Sequence, residues 1–237
     1  VRDSIVHIGL LLPEVLGTYG DTGNAQVLCQ RLRWRGLDAE VVPVGLGEPV
    51  PSTLDLYLLG GGEDGAQALA AAHLRKYRRS LTPESVVFGV CAGLQVLGTR
   101  FRGLDGVDHD GLGLLDVATE PGERRAVSEL VATATELLDK APLTGFENHL
   151  GLSKLGAGSE PLGQVVRGAG NGDGTEGAVT GHVVGTYLHG PALARNPALA
   201  DLLLTWTAGY PLPPLELPEV DRLRVERLTA TRRRRTS

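Results

Sequence analysis

The sequence predicts an α/β fold, a single-domain three-layer sandwich with a mostly parallel central sheet. Short apolar runs alternate with amphipathic helical stretches in a β-α-β-α-β rhythm, which calls for parallel strands joined by crossover helices. The runs are near-continuously apolar rather than alternating, as strands covered on both faces are. Composition agrees. In 237 residues, 42% are hydrophobic and 22% charged, the balance of a globular chain, and 33 glycines cluster around the apolar runs as they do at tight turns.

Ile5–Leu12 reads as the first buried strand, followed by a Gly- and Asp-rich loop over Pro13–Gly23. Asn24–Arg35 carries a helical stripe of Val27, Leu28 and Leu32, with Asn24 or Asp21 as its cap and Gly36 as its stop. Ala39–Val44 is the second strand, and Leu54–Leu59 the third, ending in Gly60-Gly61-Gly62. Gln67–Arg79 is helical. Ser85–Val90 is the fourth strand and runs directly into Cys91, with a helix starting at Gly93.

The middle reads as strands Leu112–Thr119, Ala126–Ala132 and Gly163–Arg167, an antiparallel extension. Gly168–Gly177 lacks the Lys-Ser/Thr of a phosphate loop and reads as a hairpin tip. Gly181–Leu188 is a strand ending at His189-Gly190-Pro191, and Asn196–Trp206 is a helix. Four prolines break Tyr210–Pro218, and Val220–Leu228 forms a last short helix. The domain is expected over residues 1–209, with a Pro-rich, basic extension over 210–237.

Net charge is −5, unevenly spread: Arg222–Ser237 holds seven Arg and one Glu, a balance of +6, so the remainder carries −11. An acidic body argues against a nucleic-acid partner, and Arg232–Arg235 reads as a solvated end. Lys is rare, 3 against 20 Arg, and Met is absent even at position 1, where Val1 stands. No apolar run approaches the ~20 residues of a membrane span, and Val1–Ser4 has no signal-peptide character. Two cysteines make no disulfide framework, so a reducing cytoplasm is expected.

Cys91 sits in Gly89-Val90-Cys91-Ala92-Gly93, a G-x-C-x-G between strand and helix. Such an elbow strains the central residue and needs small neighbours two positions away on each side. The thiol then stands at a strand's carboxyl end, where open α/β sheets bind ligands, and the helix N-terminus favours thiolate. Cys29, within a helical stripe, is assigned to packing. His189, after a strand and before Gly190-Pro191, is the candidate base, and His7, inside an apolar strand, reads as a core residue. The Gly60–Gly62 amides and that of Ala92 are candidate oxyanion donors. No Cys/His spacing suggests a metal site, so no metal is expected.

GGG, G-x-C-x-G and Y-x-H-G, in that order, resemble the class I (triad-type) glutamine amidotransferases, and most of all the cobyric-acid-synthase-like branch. Leu16–Asn24 (LGTYGDTGN), Gly145–His149 (GFENH) and Gly185–Pro191 (GTYLHGP) further resemble the GatD-type glutaminase subunits of lipid II isoglutaminyl synthases. The resemblance covers roughly residues 5–210. It implies a flavodoxin-like class I fold, with Cys91 as nucleophile, His189 as base, and Gly61 and Ala92 amides as oxyanion donors. It also implies that Arg125, Gln95, Asn148 and His149 hold the substrate L-glutamine, Arg125 at the α-carboxylate, with the adjacent Arg124 as the alternative for that role.

Many class I enzymes carry an acid two residues after the histidine. Here Pro191 stands there, which leaves the third role to a partner chain or to an acid such as Glu147. The chain has no Walker A or kinase-like loop, so no cofactor is expected in it. The resemblance implies a Mur-ligase-like (MurT-type) synthetase subunit that carries ATP and Mg. Together they would amidate the D-glutamate α-carboxyl of lipid II at the inner membrane surface. Two alternatives stay open: corrinoid amidation, and a non-catalytic regulatory scaffold.

Overall fold

A computed structural model of the chain describes residues 5–18, 20–82 and 84–233. Val1–Ser4, Tyr19 of the glycine-rich loop, and Arg234 and Arg235 of the basic end lie outside the described residues.

The first half follows the predicted rhythm: β1 Val6–Leu11, α1 Gly23–Arg33, β2 Ala39–Val44, β3 Leu56–Leu59, α2 Asp64–Lys76, β4 Val86–Val90 and α3 Ala92–Leu97. The middle holds β5 Arg100–Arg102, β6 Asp108–Asp110, β7 Val117–Ala134, β8 Pro142–Leu155, β9 Gly163–Arg167 and β10 Thr175–Glu176. β11 Ala178–Thr180, β12 Val183–Thr186, α4 Ala192–Arg195, α5 Pro197–Ala208 and α6 Pro218–Arg233 complete the chain.

The main sheet has the order β2-β1-β3-β4-β12-β11. Its first five strands pair in parallel, and β11 adds an antiparallel edge. Counting its parallel strands in chain order gives 2-1-3-4-5, the flavodoxin-like order, with the crossover between β1 and β3. Right-handed connections running leftward for α1 and rightward for α2 place those helices on opposite faces. α1 packs with α4 and α5, and α2 packs with α3. Arg31 fixes the α1–α5 contact with a two-pronged bond to Asp201, at 2.8 and 2.6 Å. Between the layers, β3 and β4 are buried at every position, and Tyr57 and Phe88 are among the largest fully buried side chains.

The antiparallel extension is a second sheet, ordered β10-β9-β7-β5-β6 with β8 also on β7. Here the sequence reading is corrected. Only residues 117–119 of the strand expected over 112–119 are in a strand, and they run on through 126–132 as one 18-residue strand, β7, kinked by a register shift between Pro121 and Ala126. Proline supplies no ladder N–H, so the strand bulges there instead of ending. β8 is a strand that the sequence pattern does not announce. Its buried residues include Glu147, His149 and Ser153, while Leu152 faces solvent. That polar-in, apolar-out alternation inverts the pattern by which a half-buried strand is recognised.

Two smaller expectations change. Neither Asn24 nor Asp21 caps α1 through its side chain; the N-cap is Thr22, without a side-chain bond. His7 is not a core residue: its side chain is 41% exposed and stands 3.2 Å from Glu40, its register partner on β2. Cys29 is buried as expected, and burial pushes its thiol pKa up. After α5, residues 211–217 form no regular element and are tied to the turn after α1 by Arg35, which donates to the Pro213 carbonyl at 2.8 Å. The last helix is longer than expected and includes Val220–Leu228. Among the described residues, no helix is long and apolar enough to cross a membrane.

Candidate active site

Cys91 stands at the carboxyl end of β4 with φ 54° and ψ −106°. Such a positive φ costs a non-glycine residue roughly 1–3 kcal/mol and persists only when its surroundings over-determine it. They do. The Cys91 N–H donates to the Thr186 carbonyl at the end of β12, at 2.8 Å. A Cβ on Gly89 would lie 2.6 Å from Leu97 Cδ1, and one on Gly93 2.7 Å from the Leu59 carbonyl oxygen. Both flanking glycines of G-x-C-x-G are therefore demanded by close packing.

His189 follows β12 and is held from the second sheet. Its N–H donates to the Phe146 carbonyl at 2.8 Å, and the Phe146 N–H returns the bond at 3.1 Å. The GFENH segment on β8 thus clamps the histidine loop. A Cβ on Gly61 would stand 2.9 Å from His189 Cε1 and 3.6 Å from Cys91 Cβ. Cysteine, histidine and the middle glycine of GGG, far apart in sequence, meet at one point.

Asp21 meets them there, and the sequence reading missed it. Both its carboxylate oxygens lie 3.2 Å from His189 Nδ1, and Oδ2 accepts the Gly61 N–H at 2.8 Å. The side chains of Asp21 and His189 are 0% and 1% exposed. The available signal was the LGTYGDTGN segment, several of whose described residues have roles in holding the loop in place. Thr18 bridges to Gly61, and the Leu16 carbonyl oxygen would be 2.0 Å from a Cβ on Gly60. Asn24 Oδ1 accepts the Leu193 N–H at 2.9 Å, and a Cβ on Gly23 would sit 2.5 Å from Pro191 Cγ. The loop is the mate of the HGP turn.

Two expected roles change with this geometry. Gly61 does not aim its N–H at a substrate oxygen, because Asp21 accepts it. Gly62 lines the cleft in front of Cys91 together with Ala92. Glu147 does not face His189: it accepts from Ser128 Oγ at 2.6 Å and from the N–H groups of Ala169 and Gly170 at 3.0 and 3.1 Å. Burial raises the Glu147 pKa, but bonds from His149, Ser128, Gly170 and Ala169 outweigh it and leave the carboxyl below its ordinary value.

The cleft measures about 530 Å³, and Cys91, Ala92, Gln95, Arg125, Asn148 and His149 are all in its wall. Arg125 projects from the β7 bulge, and its Nη1 donates to Asn148 Oδ1 at 2.8 Å, which presents the guanidinium to the cleft. Arg124 is not among the described lining residues. Gln95 is tightly held: its Oε1 accepts from Gln67 at 2.6 Å, and its Nε2 donates to Tyr187 Oη at 3.1 Å. Tyr187 continues to Ser153 at 2.8 Å, and its ring stacks on His149 with centroids 3.7 Å apart. Burial raises the Tyr187 pKa, so its hydroxyl stays protonated. Gln95 and His149 thus shape the cleft floor through a buried polar network.

Residues 7–197 match the model of the CobB/CobQ-like glutamine amidotransferase domain. The chain is 34% identical over 218 residues to the Staphylococcus aureus lipid II isoglutaminyl synthase (glutamine-hydrolyzing) subunit GatD, covering 89% of this chain and 87% of that protein. It is 32% identical over 207 residues to the Streptococcus pneumoniae subunit of the same name, covering 84% of this chain and 79% of that one. Cobyric acid synthase of Sphingopyxis alaskensis is 32% identical over 70% of this chain, but only 34% of that protein is covered. Among solved structures, a glutamine amidotransferase superposes with TM-score 0.58 at 22% identity, covering 85% of this chain and 98% of that chain.

Proposed function

The chain belongs to the CobB/CobQ-like glutamine amidotransferases, and from that membership we propose that it is the glutaminase subunit of a lipid II isoglutaminyl synthase. The observation that carries the reading is the convergence of Cys91, His189 and Asp21 on Gly61 at the head of the cleft. Identity to GatD subunits over most of both chains supports the acceptor.

L-Glutamine binds with its α-carboxylate on Arg125, held in place by Asn148. His189 takes the Cys91 thiol proton as Sγ attacks the side-chain amide carbon, and the amides of Ala92 and Gly62 receive the oxyanion. The C–N bond breaks, His189 protonates the leaving nitrogen, and ammonia departs, leaving a glutamyl thioester. Water, deprotonated by His189, then cleaves the thioester to glutamate and free Cys91. Asp21 holds the His189 ring by Nδ1 and balances the imidazolium charge. The acid sought on a partner chain is therefore assigned to this chain. Ammonia passes to a MurT-type, Mur-ligase-like subunit, where ATP and Mg activate the D-glutamate α-carboxyl of lipid II for amidation to D-isoglutamine.

The test is glutamate release from glutamine by the purified chain, alone and with the synthetase subunit, beside Cys91→Ser. Hydrolysis that requires Cys91, and lipid II amidation that requires both chains and glutamine, is expected. Absence of hydrolysis in both samples would overturn the reading in favour of a regulatory scaffold.

A further inference from the structure

The Gly168–Gly177 segment, read from sequence as a hairpin tip, carries a buried acid that the proposed reaction does not use. Glu176, on β10, is 0% exposed. The next residue brings it against the end of β12: Gly177 has φ 62°, and a Cβ there would lie 2.5 Å from the Gly185 carbonyl oxygen. Glu176 Oε1 accepts the Tyr187 N–H at 3.0 Å and also the Thr186 hydroxyl. Thr186 Oγ1 in turn accepts the Leu188 N–H at 3.1 Å. One buried carboxyl group thus satisfies two backbone donors of the stretch that leaves β12, one directly and one through a hydroxyl.

The peptide group between Thr186 and Tyr187 is gripped from both sides. Its N–H donates to Glu176, and its carbonyl oxygen accepts the Cys91 N–H at 2.8 Å. That second bond helps hold Cys91 at its φ of 54°. Hydrogen bonds in series through one peptide polarise and strengthen one another. Two residues beyond Tyr187 stands His189, whose own N–H is taken by Phe146. The other Glu176 oxygen, Oε2, is buried and accepts from no described residue. A carboxyl group buried with one bare oxygen costs stability, and an apolar side chain in place of a buried ionisable group is often neutral. Glu176 therefore contributes through the backbone it fixes rather than through stability.

We propose that Glu176 is a positioning residue for glutamine hydrolysis: through the Thr186–Tyr187 peptide, its carboxyl group fixes the backbone that holds Cys91 and leads into His189. The inference rests on the reading of Cys91 as nucleophile and His189 as base. Glu176 is not among the described residues of the cleft wall, so it acts on the reaction through these two. Without it the Tyr187 N–H and the Thr186 hydroxyl lose their acceptor, the stretch after β12 shifts, and thiol and imidazole leave the geometry in which a proton passes between them.

The experiment compares Glu176→Leu, Glu176→Gln and Thr186→Val with the wild-type chain. Glutaminase kinetics are measured alone and with the synthetase subunit, and alkylation of Cys91 by iodoacetamide is followed at fixed pH by peptide mass spectrometry. Glu176→Leu should lower kcat by ~10²-fold with glutamine KM within ~3-fold, the pattern of misplaced reacting groups. Glu176→Gln keeps an acceptor and should hold kcat within ~10-fold of the wild type. Thr186→Val removes one of the two bonds, should lower kcat by ~3–10-fold, and decides the case if Glu176→Leu does not fold. Cys91 alkylation should slow at least ~3-fold in Glu176→Leu and Thr186→Val, because a thiol parted from its base is less often thiolate. Alkylation needs no turnover, so an inactive wild type would overturn the glutaminase reading while this arm still decides Glu176. Wild-type kcat and alkylation in both Glu176→Leu and Thr186→Val, a loss confined to KM, or equal kcat in Glu176→Gln and Glu176→Leu would each overturn the assignment.

Discussion

Asp21 and His189 are 168 positions apart in sequence, yet each Asp21 carboxylate oxygen lies 3.2 Å from His189 Nδ1, with both side chains out of solvent. A carboxylate at Nδ1 sets the tautomer in which Nε2 can take a proton, and it stabilises the imidazolium that follows. Asp21→Asn should therefore lower kcat for glutamine hydrolysis by ~10²–10⁴-fold with little change in KM, by analogy with other triads. Steady-state glutaminase assays check this, with Cys91→Ser as the baseline. Full activity in Asp21→Asn would return the orienting acid to a partner chain.

Gly61 has no room for a side chain, since a Cβ would stand 2.9 Å from His189 Cε1 and 3.0 Å from Asp21 Oδ2. Gly61→Ala should displace the pair and lower kcat by ~10²-fold, the penalty typical of a ~1 Å misplacement. Its Tm should fall much less than its activity. Equal, modest losses in both would mean that the glycine serves only the turn.

Arg125 is exposed, and its Nη1 donates to Oδ1 and to the carbonyl oxygen of Asn148, so its removal leaves the fold intact. Arg125→Ala should raise the glutamine KM by about 10–100-fold, the equivalent of ~1.5–3 kcal/mol for a charge-assisted contact. Arg124→Ala serves as the neighbouring control and should leave KM unchanged. A KM effect confined to Arg124 would shift the carboxylate site by one residue.

Glu176 is fully buried between the two sheets' last strands, and burial raises its pKa from 4.5 to about 7 against bonds from Thr186 Oγ1 and the Tyr187 N–H. The folded value lies above the unfolded one, so the folded state holds a proton that the unfolded state releases. The contribution of Glu176 to stability is therefore complete below pH 4.5 and declines as pH rises to about 7. The slope approaches ~1.4 kcal/mol per pH unit, about 3 kcal/mol across the window. Urea denaturation from about pH 5 to about pH 8 should show this decline in the wild type, and Glu176→Gln should flatten it. Identical slopes in the two proteins would remove Glu176 as the cause.

What the sequence by itself determined is what depends on local sterics and burial. Continuously apolar strands at 56–59 and 86–90 announce a sheet covered on both faces. Gly89 and Gly93 announce the elbow at Cys91, because the clash they avoid lies within a few residues of the chain or on the adjacent strand. Arg125 and the GFENH segment were legible only through the family resemblance; the structure puts Arg125, Asn148 and His149 in the cleft wall.

Only the tertiary structure decided which carboxylate serves His189. Asp21 reads as a helix cap or a turn residue, and Glu147 as a candidate acid, because nothing local distinguishes them. The choice comes from Gly60 and Gly23, which let the N-terminal loop approach GGG and Pro191 to within contact. It comes equally from the Ser128, Ala169 and Gly170 donors that engage Glu147 elsewhere. β8 was hidden for the same reason: Glu147, His149 and Ser153 point inward with partners from distant strands, so its buried face is polar. Local sterics act over a few residues and leave a mark in sequence, whereas a buried polar group is tolerated only through partners that folding brings to it.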